Sequence, residues 1–428
     1  MLAQNIFIFH NVHYHSALLS NPKNTKKYET KPRNYSKRGR LMYQWFLPVL
    51  ILLLGSFQAQ SSQEFPWAEI ATLKVKGTEL RLRGDFAGAN RVSRQLKETY
   101  PDLGIGYAFN LNTLVTQLSW DEQQTRFDKD ILQDAEKTLS ICRKQIDSDQ
   151  GDYRAHYLCG QAHFALTYLH ALRGNYYRAG TNGSKTISSL EQALKINPEL
   201  TDAKMHLGVS YYYADNLPSY IKVFSKLLWF IPTGNSDKSL PYVREVAKKG
   251  KYFKDVAKYL YASILIEGDD EERLATGTTL LQELVSSYPE NSRFQLRYIS
   301  QLGATGRHEQ SLNAADTFIA TDEQYKRDPV DIDLARLWVT RDLLNLKQVK
   351  KAIVTFNEIT RQVSFPAWGR AWYLLTHAQI SDLQKQRNMA KNLYNRVIKL
   401  HEKYPSSTIL SLARAGLNQP FTLTEPPL

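Results

Sequence analysis

The sequence predicts an all-α fold, a solenoid of stacked antiparallel helix pairs, and three observations lead there. First, an amphipathic segment stops at the same kind of step four times: Tyr100-Pro101, Asn197-Pro198, Tyr288-Pro289 and Tyr404-Pro405. Five residues before each proline stand Leu96, Ala193, Leu284 and Leu400, and eight before stand Ser93, Leu190, Leu281 and Val397, so one helical face is written repeatedly in similar letters. Second, the alternation of apolar and polar residues that marks strands is almost absent. Third, at 428 residues, 43% hydrophobic and 23% charged, the chain has ordinary globular composition, with enough apolar material for one long solenoid or two domains. A single pair cannot bury its own apolar stripe, so pairs must stack on neighbours, and the stack leaves a groove.

Taken in order, residues 1 to 40 form a basic leader with no apolar periodicity. They hold eight Lys/Arg against one acid, Glu29, and so carry +7 of the net charge of +13. Translation starting near Leu41 or Met42 is one explanation of that leader. The remaining charge is spread rather than striped, and its densest run, Lys248-Lys249-Gly250-Lys251, adjoins a helix end where cations suit the dipole. No recognition module accompanies it, which argues against a nucleic-acid partner.

Residues 41 to 62 read as an export segment. Trp45 to Leu54 is an apolar run of signal-peptide length, interrupted by Pro48 and followed by small polar residues at Ala59 to Ser62. Lys37, Arg38 and Arg40 precede it as a basic flank, so a signal anchor with a cytoplasmic tail is the rival reading. Either way the chain is expected in the envelope, periplasmic or at the outer membrane, or held at the inner membrane by the anchor.

Residues 63 to 216 then carry helix pairs. Gly84-Asp85 splits the first, and Pro101 ends it. A second runs from Ile105 to Ile146 with its turn at 119 to 124, and a third couples 153–172 to 184–196 across a Gly/Asn-rich loop at 173–183. The segment 202–214 opens another. The regular spacing breaks at 217–236, where Leu217-Pro218 introduces Tyr220 to Ile231, apolar around most of its circumference. Burial between repeats and insertion into a membrane surface both fit such a helix. Further pairs follow within 237–416, at roughly 239–266, 272–305, 308–344, 347–375 and 386–412, and 417–428 is a Pro-rich tail.

The junction Asn197-Pro198 followed by Leu207-Gly208-x-x-Tyr211 resembles the boundary between tetratricopeptide repeats, and Gly77, Leu80, Gly84, Ala89 and Pro101 stand at matching offsets in the first pair. The resemblance covers residues 65 to 415. It implies a right-handed superhelix of about eight pairs, in which a small residue admits a close helix, an aromatic packs between helices, and the proline ends the second helix. Several copies depart from the pattern: His163 stands where an aromatic is usual, and Ser311 and Leu393 where alanine is usual. A narrower likeness lies in Tyr211 to Pro218, Ile231-Pro232-x-Gly234 and Ala247 to Lys251, which are similar to exported bacterial repeat proteins distantly related to the eukaryotic tetratricopeptide-39 type. That likeness implies a non-catalytic scaffold of the outer membrane or envelope.

Gly180 to Thr186 superficially has the glycines and lysine of a phosphate-binding loop, but the spacing is wrong and a helix rather than a strand precedes it, so a helix-pair turn is expected. Asp147 to Asp152 hints at a calcium loop, yet its glycine is one position early and Leu158 replaces the terminal glutamate; Asp152 reads instead as a helix cap. His156, His163 and His170 recur every seventh residue, about 10 Å apart along one helix, too far to share an ion. His10, His13 and His15 sit in the leader. Neither Gly-x-Ser-x-Gly nor His-Glu-x-x-His is present.

Two cysteines, Cys142 and Cys159, are too few for a disulfide scaffold or a zinc site. They flank the turn at 147–152 at nearly equal distances, so a bridge between facing helices and two ordinary buried thiols both remain open.

What is left is aromatic and basic surface on first helices of pairs: Tyr211, Tyr212, Tyr213, Arg297, Tyr298, Trp338, Arg341, Trp372 and Tyr373. Such side chains anchor bound segments in a concave face, and equally they pack helix against helix. The expectation is a non-enzymatic scaffold that binds a protein or peptide partner in its groove, with no cofactor, metal, nucleic acid or small-molecule substrate. The alternatives are a membrane-associated assembly factor using 220–231 and a hydrolase on a helical scaffold.

Overall fold

The computed structural model describes residues 66–216, 234–268, 270–401 and 407–423. The leader, the export segment and the apolar run 220–231 lie outside the described residues. From Glu69 onward the described helices fall in one compact unit; Val12–Ala68 cluster separately, and only the last three of those residues are described.

All regular structure among the described residues is helical. Seven leading–trailing pairs of consecutive helices run α1 (Trp67–Leu82) with α2 (Phe86–Thr99), α3 (Ile105–Leu118) with α4 (Asp128–Ser148), α5 (Tyr153–Leu172) with α6 (Tyr176–Ile196), α7 (Ala203–Asp215) with α8 (Ser236–Lys249), α9 (Lys254–Leu265) with α10 (Glu271–Ser287), α11 (Ser292–Ala304) with α12 (His308–Ala320), and, after the one-turn α13 (Asp322–Tyr325), α14 (Pro329–Asn345) with α15 (Val349–Asn357). An eighth pair, α16 (Ala367–Leu383) with α17 (Arg387–His401), is followed by α18 (Ser407–Asn418). Most helices pack on the next, as α3 does on α4 and α5 on α6, and leading helices also touch leading helices, as α3 does α5, α5 does α7, and α14 does α16. This is the tetratricopeptide-like arrangement of sequential helix pairs.

The repeat is also written in the backbone of the turns. In five pairs the turn has the same pair of bonds: Gly84, Gly174, Gly306, Lys347 and Lys385 each donate to the carbonyl three residues back, and the residue after each donates to the carbonyl five back. These are Schellman closures, which require a left-handed residue, and φ at the five positions is +86°, +71°, +74°, +59° and +62°. A capping side chain then starts several trailing helices, as Asp85 Oδ1 accepts from Gly88 N at 2.7 Å.

That turn chemistry corrects one sequence expectation. The Gly/Asn-rich stretch 173–183 is not a loop, because Gly174 closes the turn in three residues and Asn175 caps a helix that already runs from Tyr176. Gly180, Asn182 and Gly183 are helix interior, and Thr186 Oγ1 donates to the carbonyl of Asn182 at 2.9 Å. Buried Gly183 and Thr186 show that packing overrode their poor propensity.

At Gly208, the small residue of the repeat-like junction, an added Cβ would lie 2.7 Å from the carbonyl oxygen of Ser239, so the backbones of α7 and α8 can approach this closely only because it is glycine. Between α4 and α5 the alternative of a bridge is the one realised: Cys142 and Cys159 form a disulfide with their Cα atoms 5.7 Å apart. Asp152 caps α5 as expected, accepting from Arg154 N and Ala155 N.

Candidate functional site

Leading helices from distant parts of the chain meet one another. Asn291 Nδ2, at the start of α11, donates to the carbonyl of Leu82 at the end of α1, at 2.6 Å. Arg83 pairs with Glu290 beside it at 2.5 Å, and Leu82 packs with Leu284, Tyr288 and Phe294. Farther along, Arg293 donates to the carbonyl of Thr116 in α3. Trp368 Nε1 of α16 donates to the carbonyl of Trp120, just past α3, at 3.2 Å, with the two rings edge to face at 5.5 Å.

Four of the nine residues singled out from sequence come together at this seam. Trp338 stacks on Trp368 at 6.4 Å and meets the edge of Trp372 at 5.7 Å. Arg341 lies 4.0 Å from the Trp372 ring centre and donates to Thr376 Oγ1. Arg297 joins Trp338 in lining a small chamber whose walls also include Trp120, Tyr259, Arg293 and Trp368. Burial lowers the Arg293 and Arg341 guanidinium groups to about 10, which leaves both protonated at neutral pH.

The other five lie elsewhere. Tyr211 is 3% exposed and donates its hydroxyl to Glu191 at 2.5 Å, a trailing-helix contact within a pairwise core. Tyr212 donates to Glu267 at 2.9 Å, and Tyr213 packs edge to face against Tyr212 at 6.0 Å. Burial raises the Glu267 carboxyl to about 7, opposed by the Tyr212 hydrogen bond and the charges of Arg297 and Arg273. Tyr373 stacks on Phe356 of α15 at 4.9 Å, and Tyr298 is half-buried.

Trp120, Arg293 and Trp368 were not singled out from sequence. Trp120 stands in an irregular turn and its partner is 248 residues away, so no local period points to it. Only its being a tryptophan in a loop was a signal.

The histidines spaced by seven have separate roles. His156 meets the carbonyl of Gln150 at 3.1 Å, while His163 Nδ1 meets Asn182 at 2.8 Å and is held by burial at about 4. Deeper still, His206 of α7 sits among Phe164 and Phe253, its Nε2 3.1 Å from Asn112 Oδ1, and burial together with the nearby Arg81 charge holds it at about 3. Away from the seam, an open groove of about 410 Å³ lies along α2 and α3, with Arg91, Arg94, Lys97, Asn110 and Asp130 in its lining. Lys97 there is held by Asp134 at 2.7 Å.

The fold and this seam define a helical-repeat protein of the stacked-pair kind. No family model and no curated protein matches the chain. Among solved structures it is similar to the crystal structure of the yeast Tom70, at 12% identity and a TM-score of 0.35, over 81% of this chain and 82% of that one.

Proposed function

We propose that the protein is a non-enzymatic interaction scaffold of the cell envelope that holds a protein or peptide partner on its leading helices. The observation that carries this reading is the eight-pair stack, with half-buried Tyr298, Arg341, Trp372 and Tyr373 distributed over α11, α14 and α16. Partly buried aromatic and arginine side chains are effective anchors because little side-chain entropy is lost when a partner covers them. The serine hydroxyls at the cavities are committed to backbone, Ser93 Oγ to the Gly106 carbonyl at 3.1 Å and Ser300 Oγ to that of Arg297 at 3.0 Å, which favours recognition over bond making. The disulfide favours an oxidising compartment, in keeping with export through residues 41 to 62, whether cleaved or retained as an anchor.

Photo-crosslinking in intact cells tests the reading. A photoreactive residue at Tyr298 or Trp372 should give a discrete protein adduct, while one at Tyr177, 56% exposed on trailing helix α6, should not. Equal labelling at all three removes the proposed face. N-terminal sequencing of the mature chain tests export with cleavage.

One observation favours a second reading, the membrane-associated assembly factor. A Cβ on Gly234 would lie 2.0 Å from Asp215 Oδ1 and 2.7 Å from its backbone nitrogen, so the chain rejoins α8 beside the point where it left α7. The apolar run 220–231 is thus bracketed by adjoining ends. Vesicle flotation of the chain lacking residues 1–62 decides: lost association removes this alternative.

A further inference from the structure

The open groove of about 410 Å³ along α2 and α3 has the volume of a ligand-binding cleft. Ala87, Asn90, Arg94 and Lys97 line it at spacings of three and four along α2, which makes them one stripe beside the buried stripe of Ala89, Val92 and Leu96. Arg91 flanks that stripe, and Leu114 of α3 adds an apolar patch. Asp130, in the first turn of α4, is the one carboxylate among the described residues of the lining.

The polar groups there differ in how far they are already engaged. Lys97 Nζ donates to both oxygens of Asp134 at 2.8 and 2.7 Å, and Asn110 Nδ2 donates to the same carboxylate at 2.7 Å, so that charge is answered internally. Arg91 stands 3.8 Å from Asp85 in a pair that is open to solvent on both sides and therefore weak. Arg94 is exposed and has no hydrogen-bond or ion-pair partner among the described residues. Asn90 Oδ1 is buried and accepts nothing. A group that completes this groove must bring negative charge for the arginines together with an N–H for Asn90.

An extended peptide with acidic side chains carries both, since every residue but proline adds a backbone N–H. A phosphodiester backbone has no N–H to give, no aromatic side chain among the described residues of the lining offers a base a stacking platform, and Asp130 repels phosphate. The segment has to come from another chain, because residues 1–65 hold only Glu29 and Glu64 as acids, and 424–428 only Glu425. The net charge of +13 attracts such a partner from a distance.

We infer that this groove docks an extended acidic segment of a partner protein, on a surface walled by trailing helices α2 and α4 and separate from the leading-helix face. Carboxylates of the segment pair with Arg91 and Arg94, one of its backbone N–H groups donates to Asn90 Oδ1, and its aliphatic parts cover Leu114. Both arginines are exposed, so the docking is weak and sensitive to salt.

The test measures fluorescence anisotropy of a labelled hexapeptide of alternating glutamate and alanine against the full chain, beside the same peptide with glutamine for glutamate. The acidic peptide should bind saturably and the neutral one should not, and raising the ionic strength from about 0.03 to about 0.3 M should weaken binding about tenfold. Arg91→Gln combined with Arg94→Gln should weaken it about tenfold. Asp130→Asn should act in the other direction and tighten it about twofold, because it removes a repelling charge. Lys350→Gln combined with Lys351→Gln, on α15, takes away the same two charges far from the groove and should leave binding unchanged. All five side chains are exposed, so these variants keep their helical circular dichroism. Equal weakening by the α15 pair, weakening by Asp130→Asn, tighter binding of an oligothymidylate of the same charge, or no saturable binding of the acidic peptide would each overturn the inference.

Discussion

The leading and trailing helices obey different rules. Trailing α6 buries five of its 21 residues and α12 three of 13, each a single stripe, whereas leading α14 buries eleven of 17 and α16 ten of 17. A trailing helix has one neighbour layer to satisfy. A leading helix has its pair mate, the next leading helices and, at the seam, helices from the far end of the chain. Periodicity reports a one-sided environment faithfully and says little about a helix covered on most sides.

The largest loss should come from the leading layer where it crosses the stack. Trp368→Ala removes a ring 4% exposed, its bond to the Trp120 carbonyl and its stack on Trp338. We expect about 3–5 kcal/mol of destabilisation in denaturant unfolding, together with faster amide exchange around Trp120. Loss confined to α16 with no change at Trp120 would break the comparison.

Next in size is the bond joining the layers, since Cys142 lies on trailing α4 and Cys159 on leading α5. Reduction, or replacing both by alanine, should cost about 3 kcal/mol in the loop-entropy description of a bridge spanning 17 residues. Unfolding with and without reductant measures it.

These two sites differ in how far sequence could lead to them. The trailing layer was legible: proline after Tyr100, Asn197 and Tyr288 marks helix ends because proline cannot continue a helix, and Leu190 or Leu281 marks the buried stripe. The facing of Cys142 and Cys159 was legible as geometry, though not as a bond, because spacing about a turn does not distinguish oxidised from reduced thiols. Helix start at Tyr176 was hidden by glycines and asparagine whose helical state depends on burial of Gly183 and on Asn182 reaching His163. At the seam, Arg297, Trp338, Arg341 and Trp372 could be named as leading-helix residues, but their convergence on Trp120 depends on how the whole stack turns, which no local window encodes.

A smaller effect separates the layers by pH. His206, on leading α7, has a folded-state value of about 3 against 6.5 for the free side chain. Below pH 6.5 the unfolded chain therefore binds the extra proton, and the stability gained from burying the neutral ring is lost as pH falls from 6.5 toward 3. Between pH 7 and pH 5, wild type should lose about 2 kcal/mol more than His206→Gln. Equal slopes in pH-dependent denaturation would place the acid sensitivity elsewhere.

Gly208→Ala tests the close approach inside a pair. The new methyl would meet the Ser239 carbonyl at 2.7 Å, a backbone atom that cannot rotate aside, and α7 must move away from α8. We expect about 1–2 kcal/mol of destabilisation, less than a ring deletion because the helices can slide rather than leave a hole.

The smallest effect should have the opposite sign, and it concerns the turns between the layers. The Schellman closures after α1, α5 and α11 use Gly84, Gly174 and Gly306, but those after α14 and α16 use Lys347 and Lys385, at φ +59° and +62°. Both lysines are exposed, so nothing the side chain touches repays the left-handed backbone. A non-glycine residue there costs about 1 kcal/mol in the folded state, while glycine costs about 0.4–1 kcal/mol through the freer unfolded chain. Lys385→Gly should therefore stabilise by no more than about 0.5 kcal/mol, read from the denaturation midpoint at unchanged m-value. A clear loss instead would mean that Lys385 is held by something besides its turn, and that the joints between layers are not interchangeable along the stack.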